Sequence, residues 1–143
     1  MKRPDRPRAI GAILDRSALE SYARGHVHVG ELIQQVTDEN DGSAVGIPSA
    51  ALVEALARVA HDKTAKDLLK YVTTLGATVV LPLDQTHAAG VAANVPLVRG
   101  DLARAHAIWA AQHHETLCFT AEPEAVPEAI LTDQIITIPR DDA

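Results

Sequence analysis

Short apolar runs alternate with amphipathic stretches along this chain, and that alternation predicts its elements. Residues 9–14, Ala-Ile-Gly-Ala-Ile-Leu, are apolar without a break, the pattern of a strand covered on both faces. Ser-Ala-Leu-Glu at 17–20 reads as a capping box, with Ser17 accepting from the third amide of a helix and Glu20 reaching back. That helix is expected to run to about Arg24, where Gly25 stops it. Leu32, Ile33 and Val36 recur at helical spacing between Gly30 and Asn40, ahead of the turn residues Asp41 and Gly42.

Residues 43–48 are a second strand candidate, and Pro48 with Ser49 opens a helix that puts Leu52, Val53, Leu56, Val59 and Ala60 on one face. Another helix, near 64–74, stops at Leu75 and Gly76. Ala-Thr-Val-Val-Leu-Pro-Leu at 77–83 is the clearest strand, rich in β-branched residues. A small helix at 86–93, a loop through Pro96, an alanine-rich helix at 101–111 and strands at 116–120 and 134–138 complete the series.

Strands alternating with helices predict an α/β fold, a three-layer α/β/α domain around a mostly parallel sheet of about five strands. In such folds the chemistry sits at the carboxyl ends of the strands. The length of 143 residues fits one domain, and 47% hydrophobic residues suffice for its core. We place that domain at residues 9–140, behind a basic, proline-containing arm at 1–8.

Composition narrows the function classes. Thirteen Lys and Arg against 19 Asp and Glu leave a net charge of −6, which opposes indiscriminate binding to a phosphate backbone. With 3% aromatic residues there is no stacking platform for single strands. The single cysteine, Cys118, excludes an internal disulfide and fits a buried thiol in a reducing cytoplasm. No apolar stretch reaches the roughly 18 residues a membrane span needs, so a cytoplasmic protein without a membrane partner is expected. The seven histidines make no zinc pattern, and no phosphate-binding glycine motif or nucleophile motif is present.

The acids fall more informatively. Asp15 directly follows the first strand, and Glu122 lies in the turn after the fourth. Either alone reads as a turn carboxylate, but two acids at the ends of two strands are more informative, because crowded carboxylates repel one another and call for a cation, such as Mg²⁺ or Mn²⁺. Glu54 lies on the helix after the second strand, where a surface pair with Arg58 at i+4 competes with a role in a cleft. Asp101 reads most simply as a helix N-cap, and His106 as a partly buried structural histidine sharing a face with Leu102, Trp109 and Ala110.

In their order these pieces resemble the PIN-domain family, best known from the VapC-type toxins of bacterial toxin-antitoxin pairs. The likeness runs from Arg8 to Ile138 and is carried by Ile-Leu-Asp-Arg-Ser-Ala-Leu at 13–19, Ile-Pro-Ser-Ala-Ala-Leu-Val-Glu-Ala-Leu at 47–56, His-Ala-Ile-Trp-Ala-Ala at 106–111 and Phe-Thr-Ala-Glu-Pro at 119–123. The resemblance implies an endoribonuclease, a hydrolase of RNA phosphodiesters, with Asp15, Glu54 and Glu122 as ligands of Mg²⁺ or Mn²⁺ and His106 as a weaker fourth catalytic member. Arg16, Arg58 and Arg104 are then candidates for substrate phosphate contact. It also implies an RNA substrate and a cognate antitoxin protein whose segment covers the acidic cleft. A homodimer is expected as well, for which the apolar stripe at Leu32, Ile33 and Val36 reads either as the interface face or as core.

Two positions depart from the family pattern. His106 stands where the third acid is expected, and Glu122 is one methylene longer than the usual aspartate. Asp101 lies roughly 140° from His106 on an ideal helix and is a poor substitute. A catalytically impaired PIN-like protein, acting as an interaction or regulatory module, is therefore the alternative.

Overall fold

A computed structural model of the chain describes residues 8–39, 41–127 and 133–139; residues 1–7 of the expected arm and residue 140 lie outside the described residues. Five strands form one sheet in the order Thr78–Leu81, Ala44–Pro48, Ile10–Leu14, Leu117–Thr120, Ile135–Thr137, every neighbouring pair parallel. The elements are β1 (Ile10–Leu14), α1 (Arg16–Ala23), α2 (Val27–Glu39), β2 (Ala44–Pro48), α3 (Ser49–Arg58), α4 (Lys63–Val72), β3 (Thr78–Leu81), α5 (Gln85–Asn94), α6 (Leu102–His113), β4 (Leu117–Thr120) and β5 (Ile135–Thr137). The expected three-layer α/β fold is the observed one. No helix among the described residues is long and apolar enough to cross a membrane.

The unbroken apolar run of β1 is explained by its central place, covered on both sides. Leu14 packs with Leu19, Ile47 and Leu69 in a cluster shared by α1 to α4, while Ile13 packs against Ala107, Ala110 and Ala111 of α6. Both side chains are wholly buried, and burying each stabilises the fold by about 1.5–3 kcal/mol. The alanines of α6 let its backbone lie close to the sheet. Because all strands are parallel, the residues after Leu14, Pro48, Leu81 and Thr120 open onto one edge.

Several local expectations shift. The N-cap of α1 is Asp15 rather than Ser17: its side chain accepts from the Ala18 amide, and Ser17 lies inside the first turn. The buried residues of α3 are Ala51 and Ala55, with Leu52 and Leu56 partly buried, whereas Val53 is 66% exposed. Of the two readings of the stripe at Leu32, Ile33 and Val36, core is the observed one, since Ile33 and Val36 are buried and Leu32 packs against the same cluster. Arg8, assigned to the arm, donates to the carbonyls of Gly42, Ser43 and Gly76, at 3.4, 3.0 and 2.6 Å. It thereby ties the approach to β1 to those of β2 and β3.

Candidate functional site at the carboxyl edge of the sheet

Asp15 leaves the end of the central strand and turns at once into α1, so its carboxyl is fixed by the cap it makes. One oxygen, Oδ1, accepts from the Ala18 amide at 2.9 Å and from the Ser17 hydroxyl at 2.7 Å. Ser17 Oγ in turn accepts from the Ala121 amide at 2.8 Å and lies 3.1 Å from the Thr120 hydroxyl. With its one proton given to Asp15, Ser17 leaves Thr120 to donate, and Thr120 itself accepts from the Glu122 amide at 3.0 Å. This relay locks the turn after β4 onto the start of α1. The other oxygen of Asp15, Oδ2, is buried without a hydrogen-bond partner. Burial pushes this carboxyl above its ordinary range, against the hydrogen bonds of Ser17 and the Ala18 amide and the charge of Arg104.

Beside it the acids are drawn together by arginines. Arg16, only 5% exposed, reaches Glu20 through Nη1 at 2.7 Å, Glu122 through Nη2, and Glu54 through Nε at 3.7 Å. Arg104, equally buried, places Nη2 2.6 Å from the same oxygen of Glu122. Arg58 adds contacts to Glu54 at 3.2 Å and Glu20 at 3.4 Å. Burial works against the charge of Arg16, yet Glu20, Glu122, Asp15 and Glu54 together hold its pKa above the ordinary value. Burial likewise disfavours the Glu122 carboxylate, but Arg104 and Arg16 prevail and hold it below the usual range.

The edge therefore gathers Asp15, Glu54 and Glu122, as the sequence suggests, and adds Glu20, which its i+4 spacing from Arg16 makes legible in retrospect. Ser17 and Thr120 carry no sequence signal for their contact with each other, because they lie 103 residues apart. The three arginines expected at substrate phosphates are instead paired with carboxylates. Asp101 is the N-cap of α6, accepting from the Arg104 amide at 3.0 Å. His106 is wholly buried, and its Nδ1 accepts from the Ala50 amide at 3.4 Å. That amide is one of the first in α3, whose N-cap residue, Pro48, supplies no side-chain bond. Burial and the charge of nearby His87 hold the His106 pKa down, with the Pro82 carbonyl opposing. An accepting Nδ1 has no proton, so the ring is neutral and tied to the start of α3.

Glu122 stands between two clefts. One, of about 760 Å³, is lined by Arg16, Arg99, Asp101, Arg104 and Glu124 among others; the second, of about 450 Å³, includes Ser17, Glu20, Arg24 and Arg58. Among the described residues no group of three or more His, Cys, Asp or Glu side chains converges to hold a metal ion. The arrangement is a charge-compensated one, in which buried guanidiniums do the work a cation would do for crowded acids. The chain matches no protein-family model, and no curated protein matches it.

Proposed function

We propose that this chain is a PIN-like domain that serves as a non-cleaving interaction or regulatory module. One observation supports this reading above the others: Glu122 Oε1 accepts from both Arg16 and Arg104. A hard divalent ion needs carboxylate oxygens free to ligate it, and guanidinium groups among those oxygens repel it. The side chains as arranged do not fit Mg²⁺ or Mn²⁺. His106 adds nothing to such a site, because its Nδ1 lone pair is spent on the Ala50 amide and its Nε2 then carries the ring proton.

A second reading is the Mg²⁺- or Mn²⁺-dependent endoribonuclease, toxin of a toxin-antitoxin pair, with RNA as substrate, an antitoxin as partner and a homodimeric state. Its specific support is Asp15 Oδ2, a buried carboxylate oxygen without a hydrogen bond at the same edge as Glu54 and Glu122. It requires both arginines to leave Glu122.

Calorimetric titration of chelator-stripped protein with Mn²⁺, beside Asp15→Asn, decides between them. The expected result is no saturable heat in either protein and no metal-dependent cleavage of an RNA pool. Saturable binding that Asp15→Asn abolishes, together with cleavage, would overturn the first reading in favour of the second.

A further inference from the structure

We propose that the clamp formed by Arg16 and Arg104 is a binding site for a phosphate group, with Glu122 as the internal carboxylate that fills it until the ligand arrives. This deepens the non-cleaving reading and rests on it, since guanidiniums and not a metal hold the charge.

Both arginine side chains are 95% withdrawn from solvent, at 5% exposure, and both end on one oxygen of Glu122. Each guanidinium carries about five N–H donors in a planar fork, more than a shared carboxylate oxygen can use. The surplus is visible: Arg104 Nη1 and Arg16 Nε are buried without hydrogen-bond partners, the latter 3.7 Å from Glu54 Oε1. A buried donor left unpaired is costly, and more so when charged. A phosphate offers further oxygens in the geometry that a guanidinium fork matches in a bidentate way.

Glu122 is placed to give way. Its side chain is 32% exposed, against 5% for the arginines, and it lies in the turn that follows β4 rather than inside an element. The 760 Å³ cleft opens beside it, with Arg16 and Arg104 in its lining and Arg99 adding a third positive charge. Asp101, 3.9 Å from Arg104 Nε, and Glu20 and Glu54 on Arg16 reduce the net charge, and Glu124 also lines the cleft. Selection is therefore by the fork geometry rather than by a strong positive field, and the affinity of the wild type, which must first displace Glu122, is modest.

The test compares wild type, Glu122→Ala and Arg104→Met by thermal melting and calorimetry, in sodium phosphate against sodium chloride at matched ionic strength. At ten times its dissociation constant, phosphate is expected to raise the wild-type Tm by about 3–5 °C. Glu122→Ala is expected to bind phosphate at least tenfold more tightly, and Arg104→Met to lose the response. Equal responses of wild type and Arg104→Met overturn the proposal, as does a folded Glu122→Ala that binds no more tightly. Should Glu122→Ala fail to fold, the comparison of wild type with Arg104→Met decides alone. Citrate acting as well as phosphate also overturns it; uridine 5′-monophosphate binding more tightly than phosphate assigns the group to a nucleotide, and no more tightly assigns it to free phosphate. Indifference to phosphate removes the clamp and leaves the non-cleaving reading standing. Saturable Mn²⁺ binding in phosphate-free buffer, lost in Asp15→Asn, removes that reading instead.

Discussion

Asp15 shows how one residue can be both well held and costly. Its Oδ1 caps α1 and takes the Ser17 proton, while burial makes its charge unfavourable. Its folded pKa is raised from the ordinary 3.8, so its contribution to stability is fully present below that value and is lost as pH rises through the folded pKa. Glu122 has the opposite sign, with stability present above its unfolded pKa and lost as pH falls through the depressed folded one. Asp15→Asn keeps an acceptor for Ala18 and Ser17 and removes the charge, leaving Glu122 in place. The Tm of the variant is expected to exceed that of wild type at pH 7, with the gap closing as the pH is lowered toward 4. A variant less stable than wild type at pH 7 would show that the ionised carboxyl is favoured where it stands. The position of Asp15 is readable from the chain, since an acid after a buried strand must lie at the carboxyl edge. The groups that hold Ser17 behind it are not, because Thr120 and Ala121 reach the Ser17 hydroxyl only through the pairing of β1 with β4.

At the scale of elements, helix-start chemistry is where local reading goes furthest astray. Ser17 and Glu20 match a capping box, yet Ser17 serves Asp15 and the Ala121 amide, and Glu20 serves Arg16 and Arg58. Long-range donors occupy the acceptors that the local motif would have used, and Asp15 takes the helix amide instead. The packing of α5 on α6 is a second case. The indole of Trp109 forms a triangular cluster with the rings of His87 and His113, its centroid 4.5 and 4.7 Å from theirs and theirs 5.9 Å from each other, and Gly90 lets α5 approach it. A Cβ at Gly90 would lie 2.7 Å from Trp109 Cδ1 and closer still to Nε1. Gly90→Ala is thus expected to push the indole aside and cost about 1–3 kcal/mol, the usual penalty of overpacking. Denaturant unfolding would read the loss, and the emission of Trp109, the one tryptophan, would shift with it. Unchanged stability with unchanged emission would mean that α5 does not lie as close as described.

For the molecule as a whole, the parallel sheet sets both the core and the site. Cys118 sits on β4 against Ala107, Ala110 and Ala111, and burial, then the charge of Asp15, raises its thiol pKa well above the ordinary range. Reaction with a thiol reagent therefore requires the sheet to open, and native protein is expected to react at least about a thousandfold more slowly than unfolded protein, in line with ordinary domain stability. Rapid native labelling would place β4 in a region that opens locally. The chain by itself determines the alternation of elements, the α/β class, the buried β1 and the acids at strand ends, because these follow from periodicity and from what a parallel sheet does with the residue after each strand. Tertiary structure alone decided that Arg16 and Arg104 lie among those acids and that His106 is spent on the start of α3. Those outcomes depend on groups brought together across the sequence, Arg16 with Glu122 and His106 with the Ala50 amide, which meet only once the fold has removed them from water.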